Sequence, residues 1–277
     1  MIRITSTSNP RISKLQDLHT TRGRKKHGLF LMEGPHLLLA LLDAHVFPLE
    51  VYYQPELLQR TAEGRALLER LLHVPELAKR LIEVNERVIE ALGDVQTSQG
   101  LVSVLPLDAF SPATLRTRRP IAARPALLVL DSIADPGNMG TILRTALAAD
   151  VEAVLLTPNC VDYYSPKVVR AAVGAHVALP VETHVSWESI GESIAYHCPA
   201  GARVLLAEAS SPHIYYEQDL IAPFALIIGN EAHGPAAEAR ALATLTITIP
   251  LANGVESLNA AMAAGIILYE AVRQRER

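Results

Sequence analysis

Six short, almost wholly apolar runs in the second half of the chain, residues 126–130, 151–156, 177–181, 204–207, 224–228 and 245–249, constrain the architecture more than any other feature. A strand with one wet face alternates apolar and polar residues, whereas a run that is apolar throughout has to be covered on both faces. Helical or loop patterns separate the six runs, so the reading is α/β: a parallel sheet with helices on either side. The first half alternates in the same manner, with apolar runs at 29–32, 49–53 and 101–105 and helical patterns at 35–43, 55–72 and 85–92, and it reads as a smaller α/β domain. Between the halves, residues 112–126 carry Arg116, Arg118, Arg119 and Arg124, three prolines and no acid, with no apolar period. That composition marks a linker. The expected division is an arm at 1–28, a small domain at 29–108, a linker at 109–125 and a larger domain at 126–277.

With 277 residues, 49% hydrophobic and 19% charged, the chain is long enough to bury a core in each domain, which excludes a stapled miniprotein and a disordered chain. Cys160 and Cys198 form no CxxC pair, so no zinc site is expected, and the first residues lack the apolar core of a signal peptide. The longest apolar stretch, 258–268, falls short of the roughly 20 residues that span a bilayer. These features predict a cytoplasmic protein that is not in a membrane. Charge is unevenly placed: the whole chain carries −4, yet residues 1–28 hold Arg3, Arg11, Lys14, Arg22, Arg24, Lys25 and Lys26 against Asp17 alone. Such a segment is either a solvated helix face or a grip for a polyanion, with Arg22, Arg24, Lys25 and Lys26 its densest part.

Three of the apolar runs end in segments rich in Gly, Asn and Ser: 131–140, 229–234 and 252–259. In open α/β sheets, ligands settle at the carboxyl ends of strands, where glycine permits close approach and helix N-termini meet polar atoms. One such segment is equally a turn and a cap; three at successive strand ends point to a site. The standard signatures are absent, since Gly229–Gly234 has P-loop spacing but Pro235 stands where the lysine belongs, and there is no GxGxxG after a strand, no HExxH and no GxSxG. After Asp131, about 100° of rotation per residue puts Met139, Ile142, Leu143, Ala146 and Leu147 on one stripe with Arg144 off its centre and Asn138 as N-cap. A lone arginine there is either a surface charge or a holder of phosphate or oxyanion.

DPGNMGTILRTA at 135–146, LIIGNEAHG at 226–234 and IPLANGVESLNAAMAAGIILYEA at 249–271 together resemble the three motifs of the SpoU RNA 2′-O-ribose methyltransferases, of the SPOUT class. SPKVVRAAVG at 165–174 agrees, and FLMEG at 30–34 with Gln99-Gly100 resembles the family's ribosomal-protein-like substrate-binding domain. The resemblance implies a SPOUT trefoil-knot domain at 126–277 and an RNA substrate-binding domain at 29–108. It also implies S-adenosylmethionine as methyl donor without a metal, ribosomal RNA, with 23S the first candidate, as partner, and a homodimer formed through the catalytic domains.

Carried over by motif, Ile228, Gly229, Ile249, Leu258 and Asn259 bind the donor, with core packing an equal use for Ile249 and Leu258. The catalytic cluster maps onto Asn138, Arg144, Glu231, Ser257 and Asn259. Asn138 and Ser257 each read as helix caps as well. Arg144 is expected to clamp a phosphate and stabilise the developing alkoxide, since a guanidinium that stays protonated to pH ~12 is a poor base. Asn138 and Asn259 would orient the ribose, and Glu231 would fix the motif geometry. Two other readings stand beside this one: a noncatalytic RNA-binding or ribosome-assembly protein of the same fold, and a transfer RNA 2′-O-methyltransferase.

Overall fold

A computed structural model describes residues 2–94, 97–116, 124–198, 202–230 and 232–276. Among them the elements run in order β1 (Ile2–Ile4), α1 (Pro10–Asp17), α2 (Thr21–His27), β2 (Leu29–Glu33), α3 (Pro35–Asp43), β3 (Glu50–Tyr53), α4 (Pro55–Leu58), α5 (Ala62–His73), α6 (Pro75–Ala78), β4 (Leu81–Val84), α7 (Glu86–Leu92) and β5 (Leu101–Pro106). There follow α8 (Pro112–Arg116), β6 (Ala126–Leu130), α9 (Pro136–Ala148), β7 (Ala153–Leu156), α10 (Pro166–Ala171), β8 (Val181–Glu182) and α11 (Trp187–His197). The chain closes with β9 (Arg203–Ala207), β10 (Phe224–Ile228), α12 (Ala237–Leu242), β11 (Leu245–Ile247) and α13 (Ala260–Arg275).

Two compact units result, the first formed by residues 1–110 together with 164–177, the second by 111–163 and 178–277. The first holds a mixed sheet in the order β1-β4-β3-β5-β2, with β5 antiparallel to both of its neighbours. The basic stretch 1–28 is built into this unit and is no separate arm. Ile2–Ile4 pairs with β4, and Ile12, Leu15 and Leu18 are buried with Val88, Ile89 and Leu92 of α7. Gly23 lets α2 seat this closely, because a Cβ there would lie 1.9 Å from the Asp17 carbonyl oxygen. The segment 165–174, expected in the larger domain, supplies α10, which packs on β2.

The second unit is the parallel sheet expected of the apolar runs, ordered β11-β9-β10-β6-β7-β8. Alternate residues of its strands, among them Leu127, Val129, Ala225 and Ile227, bury against Ile190 and Ile194 of α11 and Ala239 of α12. Away from that layer, α13 packs on α9 and contacts β10. From the edge strand β11 the chain therefore crosses the ends of β9 and β10 before descending as α13 beside the helix that follows β6.

Several local expectations are corrected. Residues 177–181 are not a strand but a 3-10 turn over Ala175–Val177 and then the two-residue β8, because Leu179 and Pro180 leave no run long enough to pair. The helical pattern 55–72 breaks into α4 and α5, since Thr61 accepts from the Gly64 N–H and starts a new helix. Strands β1 and β4 do not stand out in the sequence because Arg3 and Glu83 interrupt their apolar pattern, and these two side chains pair at 3.2 Å. Of the linker, residues 117–123 lie outside the described residues, and Pro112–Arg116 is helical.

Candidate active site

The site grows from Asp131, the first residue after β6, which is 2% exposed. A buried carboxylate needs donors, and this one has three from three chain segments. Its Oδ2 accepts from the Ala236 N–H at 2.7 Å, and its Oδ1 accepts from Ser132 Oγ at 3.0 Å and Thr157 Oγ1 at 3.5 Å. Ser132 adopts a left-handed backbone with φ 58°, a conformation that costs a non-glycine residue about 1–2 kcal/mol. It is held there from all sides: its N–H donates to Thr157 Oγ1 at 2.9 Å, and its carbonyl accepts from Asn230 Nδ2 at 2.7 Å. Asn230 Oδ1 in turn accepts from the N–H groups of Ala232 and His233, both at 2.9 Å, which shapes the turn after β10. Gly229 is required at that turn, because a Cβ would come within 2.8 Å of the Pro235 nitrogen. The loops after β6, β7 and β10 are thus fixed to one another before any ligand arrives.

At the ends of β9, β10 and β11 lies a cavity of about 290 Å³ whose walls include Ile228, Gly229, Ile249 and Leu258. Its lining is mainly apolar, and the strap that closes it is irregular. From Ile249 to Leu258, Val255 is the one described residue whose backbone N–H donates to a backbone carbonyl, at 3.2 Å on Ala252. Among the described residues, most other backbone groups of the strap pair with no backbone partner, which suits the reading of a ligand's polar edge. Apolar walls for a purine, a glycine position that admits nothing larger, and backbone groups without backbone partners form a cradle that fits an adenosine.

A second cavity of about 430 Å³ adjoins the first and opens to solvent, lined by Ala134, Asp135, Asn138 and Asn259. Asn230, Ser257 and Leu258 belong to the walls of both. In it Asn259 Nδ2 donates to Asn138 Oδ1 at 2.9 Å. The geometry explains which way the Asn259 amide points. Asn259, not Ser257, is the N-cap of α13, and its Oδ1 accepts from the N–H groups of Ala261 at 2.9 Å and Met262 at 3.3 Å, leaving its NH₂ for Asn138. Asn138 is likewise no cap: Asp135 caps α9, Pro136 opens the helix, and the Asn138 N–H donates to Asp135 Oδ1 at 2.8 Å.

The structure therefore brings Asn138, Ser257 and Asn259 together and places Ile228, Gly229, Ile249 and Leu258 on one adjoining wall. Asn259, expected to bind the donor, lines the second cavity instead. Arg144 lines neither cavity; it is exposed on α9 and has no ion-pair partner among the described residues. Glu231 lies outside the described residues. In the first unit Arg22, Lys25 and Lys26 are exposed, but Arg24 corrects the expectation. It is 3% exposed, with its guanidinium donating to the Leu18 carbonyl at 2.6 Å and Thr21 Oγ1 at 3.1 Å, so it serves the fold of α2 and not a phosphate. Lys26 sits 3.6 Å from Asp17, whose carboxyl is held below its usual range by the His27 hydrogen bond and then by Lys26. Asp131 and Asn230 lie in the segments rich in Gly, Asn and Ser but have no role of their own in the sequence reading, and Thr157 lies in none of them; its place at the end of β7 is its one signal in the sequence. Among the described residues no three His, Cys, Asp or Glu side chains gather as a metal ion requires, and no helix is long and apolar enough to cross a membrane.

Comparison with known proteins adds to this geometry. The SpoU rRNA Methylase family model matches residues 125–269, and the MRM3-like substrate binding domain model matches residues 9–103. An uncharacterised tRNA/rRNA methyltransferase of Synechocystis is 35% identical over 98% of this chain and 94% of its own length. The 23S rRNA (guanosine(2553)-2′-O)-methyltransferase of Bacillus subtilis is 29% identical over 97% of this chain and 98% of its own. The AdoMet-bound crystal structure of an rRNA methyltransferase from Sinorhizobium meliloti superposes with a TM-score of 0.79 at 28% identity, covering 98% of this chain and 97% of that one.

Proposed function

Because the chain belongs to the SpoU rRNA methylase family, whose members are S-adenosylmethionine-dependent RNA ribose-2′-O-methyltransferases, we propose that it methylates one ribose of 23S ribosomal RNA. The observation that carries this reading is the pair of adjoining cavities with Asn230, Ser257 and Leu258 in their common wall. One cavity suits the donor's adenosine and the other, open to solvent, suits the acceptor ribose. Methyl transfer needs the hydroxyl in line with the donor methyl, loss of its proton and stabilisation of the developing alkoxide. S-adenosylmethionine supplies an electrophilic methyl group on a sulfonium.

The chain supplies the rest. The hydrogen-bonded amides of Asn138 and Asn259 orient the ribose at the mouth of the shared wall, with Ser257 beside them. Arg144 holds the acceptor phosphate and stabilises the alkoxide, and the proton passes to phosphate or water, since a guanidinium does not accept it. Glu231 keeps the turn after β10 in place. The first unit binds RNA through its basic helix α2. The enzyme acts without a metal, in the cytoplasm, as a homodimer through the catalytic unit. The pairing face is α13 beside α9, where Met262 is 59% and Tyr269 50% exposed. A second copy on that face would offer a further Arg144 to the acceptor cavity, in keeping with its absence from the cavity walls of its own chain.

The test is transfer of labelled methyl from S-adenosylmethionine to total RNA of a strain lacking the protein, with the modified ribose mapped by reverse-transcription stops. Label at a single 23S position is the expected result. Label in transfer RNA would replace the substrate, and donor binding with no label on naked RNA or on ribosomal assembly intermediates would favour a noncatalytic role.

A further inference from the structure

The donor cavity is apolar along most of its wall and charged at one place. Glu208 and Arg240 both line it, with Ser210 next to them, and the two side chains form an ion pair. Glu208 is the first residue beyond β9. Its position is set from both sides: its N–H donates to the Ile247 carbonyl at 2.9 Å, and its own carbonyl accepts from the Ser211 N–H at 3.2 Å. Arg240, on α12, is held in turn by a second bond, from Nη1 to the Pro235 carbonyl at 2.8 Å. With side chains 48% and 23% exposed, the arginine and glutamate gain little stability from their attraction. A carboxylate on the wall of a cavity for a cationic nucleoside calls for another use.

In parallel sheets that bind nucleosides, the glycine-rich turn follows one strand, and an acidic side chain at the end of another accepts from the ribose hydroxyls. The same juxtaposition is present here. β10 ends in the Gly229 turn, β9 pairs with it directly, and Glu208 follows β9. A carboxylate presents two oxygens, which suits a vicinal diol. We propose that Glu208 binds the donor by accepting hydrogen bonds from the ribose hydroxyls of its adenosine, and that Arg240 is a positioning residue that holds the carboxylate toward them. This rests on the reading that the cavity takes S-adenosylmethionine, and it adds a side chain to recognition otherwise carried by backbone and apolar contacts.

The test is calorimetry of the full-length protein with S-adenosylhomocysteine and with its 2′-deoxyribose analogue. Wild type should bind the deoxy analogue at least about tenfold more weakly, as loss of a hydrogen bond to a charged group implies. Glu208→Ala should bind S-adenosylhomocysteine about tenfold more weakly than wild type and no longer distinguish the two ligands. Glu208→Gln, which keeps the shape, should retain part of the discrimination, and Arg240→Gln should weaken binding several-fold. In methyl transfer, Glu208→Gln should raise the KM for the donor and leave kcat near wild type. The proposal is overturned if wild type does not discriminate, or if Glu208→Ala weakens both ligands by the same factor, which would mean that the carboxylate shapes the cavity or meets the amino-acid end. Failure of wild type to bind S-adenosylhomocysteine at all would instead overturn the donor reading beneath it.

Discussion

The two units hold their polar residues in opposite ways. In the second, Asp131, Ser132, Thr157, Asn230, Asn138 and Asn259 come from four chain segments and are hydrogen-bonded to one another and to nearby backbone. In the first, charges are spread over the surface in separate pairs, from Arg70–Asp43 at 3.0 Å to Arg11–Glu50 at 3.9 Å, with Arg22 and Lys25 exposed. Chemistry at one oxygen atom needs groups fixed in advance, because reorganisation during the reaction adds to the barrier. A grip on a polyanion needs charge and number, and tolerates mobility. The contrast predicts that single substitutions should be severe in one unit and mild in the other.

The largest effect belongs to Arg144. Arg144→Ala should reduce methyl transfer at least about hundredfold, the size of effect found when one oxyanion-stabilising donor is removed, with donor affinity changed only a few-fold. Single-turnover transfer together with calorimetry separates these quantities, and transfer near the wild-type rate would take Arg144 out of the mechanism. Next comes Asn259, which has two uses that substitution can divide. Asn259→Asp keeps an oxygen for the Ala261 and Met262 N–H groups and suits the positive end of α13, but presents no donor to Asn138 Oδ1. It should melt close to wild type and transfer methyl roughly tenfold more slowly, about the worth of one charge-free hydrogen bond made in the transition state. Asn259→Ala should in addition lose about 1 kcal/mol of stability with the cap. Equal transfer by wild type and Asn259→Asp would reduce the amide pair to a helix end.

How much of this can be read from the chain depends on which physical signal each part rests on. The central strands β6 and β10 are legible because burial on both faces demands uninterrupted apolar runs, and their observed bounds match the runs. Short strands near a sheet's edge carry no such demand: the edge strand Ile2–Ile4 and its neighbour Leu81–Val84 hold charges and leave no clear pattern. Of the site, the segments are legible as glycine- and asparagine-rich strand ends, but the hydrogen-bond partners are not. Which of Ser257 and Asn259 caps α13 depends on where the helix begins, and Asp135 displaces Asn138 as a cap because Pro136 fixes the start of α9. The buried role of Arg24 depends on α1 and α2 meeting at Gly23, a tertiary fact with no local pattern. The knot, likewise, follows from the family and not from periodicity, since strand patterns alone predict an unknotted sheet.

That distinction sharpens the comparison within the first unit. Arg22→Gln, Lys25→Gln and Lys26→Gln together should weaken RNA binding several-fold and lower the slope of log affinity against log salt by about 0.7 for each phosphate no longer neutralised. Arg24→Gln should behave differently, destabilising the protein by about 1–3 kcal/mol as the Leu18 carbonyl loses its donor while the salt slope stays unchanged. Filter binding between low and moderate salt, with urea unfolding, tests both. A salt slope that falls as much for Arg24→Gln would mean that this residue is not buried in solution.

The smallest effect concerns Glu33, another charge of the first unit that departs from the surface pattern. Its Oε2 accepts from the Asp94 N–H at 3.0 Å, and burial raises its carboxyl above the ordinary carboxylate range. An acid whose pKa is higher folded than unfolded binds its proton more tightly in the native state, so its contribution to stability is greatest at low pH and is lost as pH rises through the folded value. Glu33→Gln replaces the charged form with a neutral shape that still offers an oxygen to Asp94. Its gain over wild type should therefore appear above the carboxylate range and vanish below it. Urea midpoints of both proteins at acidic and neutral pH decide the matter. If the difference between them does not change with pH, the carboxylate is solvated, and the first unit holds its acids at the surface without exception.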